Sequence, residues 1–388
     1  MSEYPIISKR QKLSEQHQPL LPGLPDHIAH LCLSNVHPSI LYHVCNSWRR
    51  LIYSPSFPPF LSLYTLLSSK SDSSIRFFTF DPVSCKWDPL PSPSPDPAPL
   101  DLVLHHPSFL SRKLPVQSVS VSGKLILLAA TTHNFYPALT RPLIFDPVLR
   151  KWVFGPPLAT PRRWCAAGAL RNVVYVASGI GSQFSADVAK SVEKWNLEEN
   201  KLKTCKRTSY GSKNKNCYKG WRWEKMGELK DCRFSRDAID AVGWRGKLCV
   251  VHVTAKGGVL YDVAKDNWED MPEGMIRGWR GPAAAMDEEV IYMVDDTDGA
   301  LRKYDEETDE WREVTKSELL KGAQHIAAGG GRVCVVSKGV GSGGIVVVNV
   351  KASPPRLWVV ETPPGYEALT VHILPRMNHP VSDFRYQF

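Results

Sequence analysis

A few stretches of this 388-residue chain carry residue types and spacings that could do chemistry. Gly339-Val340-Gly341-Ser342-Gly343-Gly344 has the G-x-G-x-x-G spacing that lets a backbone approach a pyrophosphate. That use needs a helix whose N-terminus faces the phosphate. The run lies instead between two apolar, strand-like segments, 333–337 and 345–350, and reads as a flexible hairpin. His27 with His30, and His105 with His106, could begin a metal site, but no carboxylate or cysteine completes either set at useful spacing. There is no G-x-S-x-G motif and no pairing of a nucleophile with a base, so no catalytic, metal or cofactor residue is expected. The remaining candidates are recognition residues: His133, Asn134, Tyr136, Arg162, Arg163, Trp164, Arg277, Trp279 and Arg280. Arg and aromatic side chains are common anchors of protein contacts, although each of these could equally pack between strands.

What positions them is a recurring spacing: an aromatic residue, an Asp, then a Trp six positions after the Asp. Phe80-Asp81 with Trp87, Phe145-Asp146 with Trp152, Tyr261-Asp262 with Trp268 and Tyr304-Asp305 with Trp311 all show it. Trp195-Asn196 with Trp223, beyond a long insertion, and Val348-Asn349 with Trp358 are weaker copies. A strand, a polar turn and a Trp-bearing strand repeated about six times predict an all-β propeller of about six blades. The Asp should accept backbone hydrogen bonds at the turn, and the Trp should fill the wedge between neighbouring blades. The first unit is short of strands ahead of Phe77, whereas residues 368–374 form an extra apolar strand after the last Trp. The C-terminal strand is therefore expected to complete the first blade and close the ring. In such a ring the recognition candidates fall near the mouth of the central channel, and a target bound there should be acidic.

The hydrophobic fraction of 43% and charged fraction of 22% are those of an ordinary globular protein. Residues 1–18 show no secretory or anchor pattern, and no apolar run approaches a membrane span. Nine cysteines without a C-x-x-C pair read as reduced thiols, in keeping with a cytoplasmic or nuclear location. The net charge of +9 lies mostly in one segment, where nine cations between Lys201 and Lys225 face Glu224 alone. Residues 200–220 read as a basic, flexible insertion within a blade, with contact to an acidic partner as the sharper alternative; nucleic acid is not the expected ligand.

Residues 1–19 are expected to form a disordered tail, 20–60 a small helical module and 61–388 the propeller. In the module, Asp26 after Pro25 can cap a first helix, and Pro38-Ser39 suits the start of a second. The sequence Leu24-Pro25-Asp26-His27-Ile28-Ala29, then Leu31-Cys32-Leu33, then Val44-Cys45-Asn46-Ser47-Trp48-Arg49, closely resembles an F-box. The repeated Tyr/Phe-Asp and Trp units resemble kelch repeats, and the order of the two resembles the plant F-box/kelch-repeat family of Skp-interacting-partner type. The resemblance implies a non-catalytic substrate receptor of an SCF (Skp-cullin-F-box) ubiquitin ligase. The helices would dock on a Skp adaptor, and through it on cullin and RING subunits, while the propeller holds a target protein. Leu24, Pro25, Ile28, Leu31, Val44 and Trp48 form more apolar surface than so small a module can bury, as a partner interface requires; packing on the propeller is the alternative. A non-degradative scaffold and, further off, a propeller enzyme are the competing functions.

Overall fold

Each of the four exact copies of the recurring spacing proves to be a two-stranded unit with a direct cross-strand pair. The computed structural model describes residues 19–72, 74–93, 116–132, 134–198, 221–230, 232, 234, 239–252, 257–339 and 343–378. They belong to two compact units, one running to Pro59 and the other spanning Phe60–Asn378. The expected tail, the basic insertion, His105, His106, His133 and the centre of the glycine run lie outside the described residues.

The first unit holds α1 (Asp26–Ser34), α2 (Pro38–Val44) and α3 (Asn46–Ile52). Asp26 sits one place further in than the expected capping position: Pro25 precedes the helix, and Asp26 Oδ1 accepts from the Leu20 N–H at 3.2 Å. The expected second helix is broken in two, because Cys45 is fully extended (φ −158°, ψ 167°) between α2 and α3.

The second unit is a ring of six four-stranded antiparallel sheets. In chain order, β1 (Leu61–Ser69), β2 (Ile75–Asp81) and β3 (Lys86–Pro89) belong to blade 1. Blade 2 contains β4 (Val116–Val121), β5 (Lys124–Ala130), β6 (Leu143–Asp146) and β7 (Lys151–Phe154). Blade 3 contains β8 (Ala166–Leu170), β9 (Val173–Ala177), β10 (Val192–Asn196) and the two-residue β11 (Glu224–Lys225), with α4 (Ala186–Lys190) between β9 and β10. In blade 4 are β12 (Ile239–Trp244), β13 (Lys247–His252), β14 (Gly257–Asp262) and β15 (Asn267–Asp270), followed by α5 (Glu273–Gly278). Blade 5 is made of β16 (Ala283–Met286), β17 (Val290–Val294), β18 (Ala300–Asp305) and β19 (Glu310–Lys316). Blade 6 is made of β20 (Ala323–Gly329), β21 (Arg332–Ser337), β22 (Ile345–Asn349) and β23 (Arg356–Val360). The last strand, β24 (Tyr366–Pro375), returns to pair with β1 and completes blade 1, as the sequence predicts. The first unit itself supplies three of the four strands of this sheet, so it is one strand short as expected, and the strand that stands ahead of Phe77's own strand is β1. Its run Leu61–Ser69 is buried on both faces and therefore lacks the alternation that marks a half-exposed strand.

The Asp and Trp roles are visible blade by blade. Asp81, Asp146, Asp262 and Asp305, with Asn196 and Asn349 in the weaker copies, each accept a backbone N–H two residues on, at 2.8–3.1 Å. The turn they fix sets Phe80 opposite Trp87, Phe145 opposite Trp152, Tyr261 opposite Trp268 and Tyr304 opposite Trp311. These ring pairs lie 5.0–5.4 Å apart. Each indole N–H then reaches back to the preceding blade's exit: Trp87 to Glu361 O, Trp152 to Pro91 O, Trp223 to Pro156 O, Trp268 to Gly227 O and Trp311 to Met275 O, at 2.7–3.0 Å. Between the blades lie six apolar clusters, each drawing its residues from two adjacent blades and the last from blades 6 and 1. The hydrophobic core is thus a ring of wedges, and no blade is buried without both neighbours.

Trp358 stands apart, 41% exposed and without an indole hydrogen bond among the described residues. Replacing Trp311 with Phe should therefore lower unfolding free energy by about 1–2 kcal/mol, through one lost hydrogen bond and lost packing. Trp358→Phe should change it by less than about 0.5 kcal/mol. Urea unfolding of both variants checks the contrast.

Candidate functional site

On the helical unit, the periodicity sorts apolar side chains onto two sides. Ala29, Leu33, Leu41, Leu51 and Ile52 are buried. Leu24, Ile28 and Leu31 at α1, and Ile40 and Val44 on α2, remain exposed, Leu31 by 62%, Ile40 by 59% and Val44 by 55%. Pro25 is exposed beside them. Trp48 is half-buried, and its indole N–H donates to Leu20 O at 2.8 Å, so it also ties the entry segment to α3. Ile40 is absent from the sequence-based set, although its four-residue spacing from Val44 on one helix marks it.

On the ring, antiparallel alternation sends the connections between second and third strands, and those between successive blades, to the same end. Asn134 and Tyr136 lie in the β5–β6 connection, Arg162, Arg163 and Trp164 in the β7–β8 connection, and Arg277, Trp279 and Arg280 between β15 and β16. All these candidates therefore reach one end of the ring, but in two sectors, at blades 2 and 3 and at blades 4 and 5. Two of them are corrected by their surroundings. Arg162 is 1% exposed and ion-paired to Glu193, with Nη1 donating to Ser191 Oγ at 2.8 Å and Ser178 O at 3.2 Å. Trp279 is 3% exposed and meets Trp311 edge to face at 5.6 Å. Both are packing groups without surface to offer a partner. Arg277 is exposed and pairs with Glu273 one turn earlier on α5, and Arg280 is exposed. Tyr136 is exposed, as is Phe184 in the β9–α4 connection, which the sequence reading passed over.

The innermost strands β24, β4, β8, β12, β16 and β20 enclose a channel of about 380 Å³. Small residues such as Gly168, Ala241, Ala284 and Ala327 line much of it. Gly243 also has to be glycine, because a Cβ there would sit 2.1 Å from Ala169 O on the next blade. A polar belt crosses the closing seam. The His372 ring lies between Ser118 Oγ and Ser120 Oγ, each 2.9 Å from one ring nitrogen, and the His325 ring is 5.4 Å away. His325 Nδ1 accepts from the Val371 N–H at 3.2 Å, which puts the proton of the neutral ring on Nε2. Burial lowers the His325 pKa to about 4 and holds His372 well below the usual range, with His325 adding to the effect. Across the channel, burial lifts the Asp240 carboxyl to about 6 although the Ala241 and Ala283 N–H groups both donate to it. The sequence reading did not mark these groups, whose one signal was polar residues among small and β-branched ones on inner strands. No group of three or more His, Cys, Asp and Glu among the described residues could hold a metal ion.

No protein-family model matches the chain. It is 51% identical over 390 residues to the F-box/kelch-repeat protein SKIP25 of Arabidopsis thaliana, covering 97% of this chain and 94% of the relative. The chain belongs to the F-box/kelch-repeat family. More distant similarity extends to the F-box/kelch-repeat protein SKIP4 of the same plant, at 22% identity over 89% of this chain and 90% of the relative. The F-box protein AFR is 21% identical over 74% of this chain and 71% of its own length. In this F-box/kelch-repeat chain, then, the repeat is carried by the Asp-turn and Trp pairs described above.

The channel histidines give a signed pH dependence. A histidine whose pKa is depressed in the folded state contributes stability that is present above its unfolded value, near 6.5, and is lost as pH falls through about 4. Asp240, with its raised pKa, has the opposite sign and contributes most below its unfolded value. Gln at position 325 can keep an acceptor for Val371 without titrating. Between pH 7 and 4, the native chain should lose about 2–3 kcal/mol more than His325→Gln. Denaturant unfolding at the two pH values measures this difference.

Proposed function

We propose that this protein is the substrate-recognition subunit of an SCF-type ubiquitin ligase, with the helices bound to a Skp adaptor and the loop end of the ring bound to a target protein. The observation that carries the proposal is the exposed row Leu24, Ile28, Leu31, Ile40 and Val44. Its spacing is that of an amphipathic face across two helices, and an isolated unit would not leave five large apolar side chains in water. Each gains roughly 1 kcal/mol or more on partial burial against a partner, so the five together are enough for specific docking.

The ring supports the other half of the division of labour. A closed set of wedges holds its loops, and exposed Tyr136, Phe184, Arg277 and Arg280, with half-buried Arg163, are side chains suited to holding a protein. The role is one of positioning: ubiquitin transfer belongs to the cullin-bound subunits, and this chain brings the target within their reach.

The test separates docking from folding by using exposed positions and leaving Trp48 alone. The intact protein should co-purify with a plant Skp adaptor and cullin. Leu31→Lys and Val44→Lys should each weaken adaptor binding by about 100-fold with an unchanged melting temperature. Equal recovery of adaptor by the intact chain and both variants, or no recovery by the intact chain, would overturn the proposal.

A further inference from the structure

At the loop end of blades 2 and 3, two aromatic residues hold a backbone conformation that bulky side chains avoid. Phe135 has φ +61° and Trp164 has φ +54°, and their rings lie 6.1 Å apart. The surroundings impose this conformation. The Trp164 N–H donates to Gln117 Oε1 at 3.1 Å, and the Phe135 N–H to Thr132 O at 2.8 Å. Arg163 pairs with Ile180 in both directions, at 2.9 and 3.0 Å, and Gly179 beside it (φ +103°) leaves no room for a Cβ, which would meet Arg163 O at 2.9 Å. Strain that is over-determined in this way is a mark of pre-organised sites.

The group so held is Arg163. Its guanidinium carbon lies 4.6 Å from the centre of the Trp164 ring, in a cation–π stack. Burial lowers its pKa, and the opposing influence is the phenol of Tyr136. Its Nε is buried with no hydrogen-bond partner, and no carboxylate among the described residues lies within ion-pair distance of it. Its neighbour Arg162 shows the alternative, with its charge met by Glu193 and its other donors by Ser178 and Ser191. A half-buried guanidinium without a counter-charge is a costly arrangement that a ligand carboxylate would relieve. Close to it is exposed Tyr136, and exposed Phe184 lies in the β9–α4 connection at the same end of the ring.

We infer that Arg163, stacked on Trp164 and close to Tyr136, is a binding site for a carboxylate next to an apolar or aromatic side chain on a segment of the target protein. The inference rests on the loop end being the target-binding end. The carboxylate comes either from an Asp or Glu side chain or from the target's C-terminus, since the guanidinium chemistry is the same for both.

The probes are synthetic peptide pools presented to the full-length protein, with Asp or Glu, or instead Asn or Gln, fixed at the centre. Each pool is made with a free and with an amidated C-terminus, and binding is read by fluorescence polarisation. Carboxylate-bearing pools should bind at least about 10-fold tighter than neutral ones, and Arg163→Gln should abolish that preference. Arg163→Lys should restore part of it, and Tyr136→Ala should weaken binding without touching the charge, which keeps the test valid if Arg163→Gln folds poorly. Loss on amidation alone identifies a terminal carboxylate, and loss on Asp/Glu to Asn/Gln exchange identifies a side chain. Equal binding by acidic and neutral pools, or an undiminished preference in Arg163→Gln, would overturn the site. If the acidic preference is found without adaptor binding, the ligase reading falls and the site stands; adaptor binding without the preference has the reverse meaning.

Discussion

The ring depends on its two ends meeting. Strand β24 pairs with β1 along nine positions, from Leu61 opposite Pro375 to Ser69 opposite Tyr366, and Tyr64 Oη adds a bond to Pro375 O at 2.8 Å. Without β24 the blade 1 sheet would lose its inner strand, and the apolar clusters between blades 6 and 1 and between blades 1 and 2 would both open to water. Joining residues 300 apart costs little more entropy than joining residues 100 apart, because loop closure grows only with the logarithm of length. The gain is two complete wedges, so the closed ring is the favoured state. The channel, and the gathering of loops at one end, follow from that closure.

Within each blade the same economy is local. In blades 1, 2, 4 and 5 an Asp turns the chain, which sets an aromatic ring and a Trp opposite one another, and the indole N–H ties that blade to the one before it. Four of the six outer strands are short, four residues in β3, β7 and β15 and two in β11, which limits the unpaired edges the ring presents to other chains.

This local economy explains what was legible in the sequence. The Asp-to-Trp spacing survives in the sequence because it is set by a tight turn and a direct cross-strand pair, both short-range constraints. The closing strand was legible because residues 368–374 had no other sheet to join. Strand β1 was not, because burial on both faces erases alternation. The break at Cys45 was hidden because the apolar spacing continues across it from Leu41 to Ile52. Arg162 and Trp279 read as surface anchors because the partners that bury them, Glu193 and Trp311, lie 31 and 32 residues further along the chain. The polar belt of Ser118, Ser120, His325 and His372 is assembled from three blades and leaves no mark in any one of them.

Adaptor binding is proposed for α1 and α2, and target holding for the propeller. The most direct measurement is hydrogen–deuterium exchange of the full-length protein with and without a plant Skp adaptor. Slowed exchange of amides in Asp26–Ser34 and Pro38–Val44 is expected on adaptor addition, with the propeller strands unchanged. Unchanged exchange in both helices at saturating adaptor, or protection confined to the propeller loops, would contradict it.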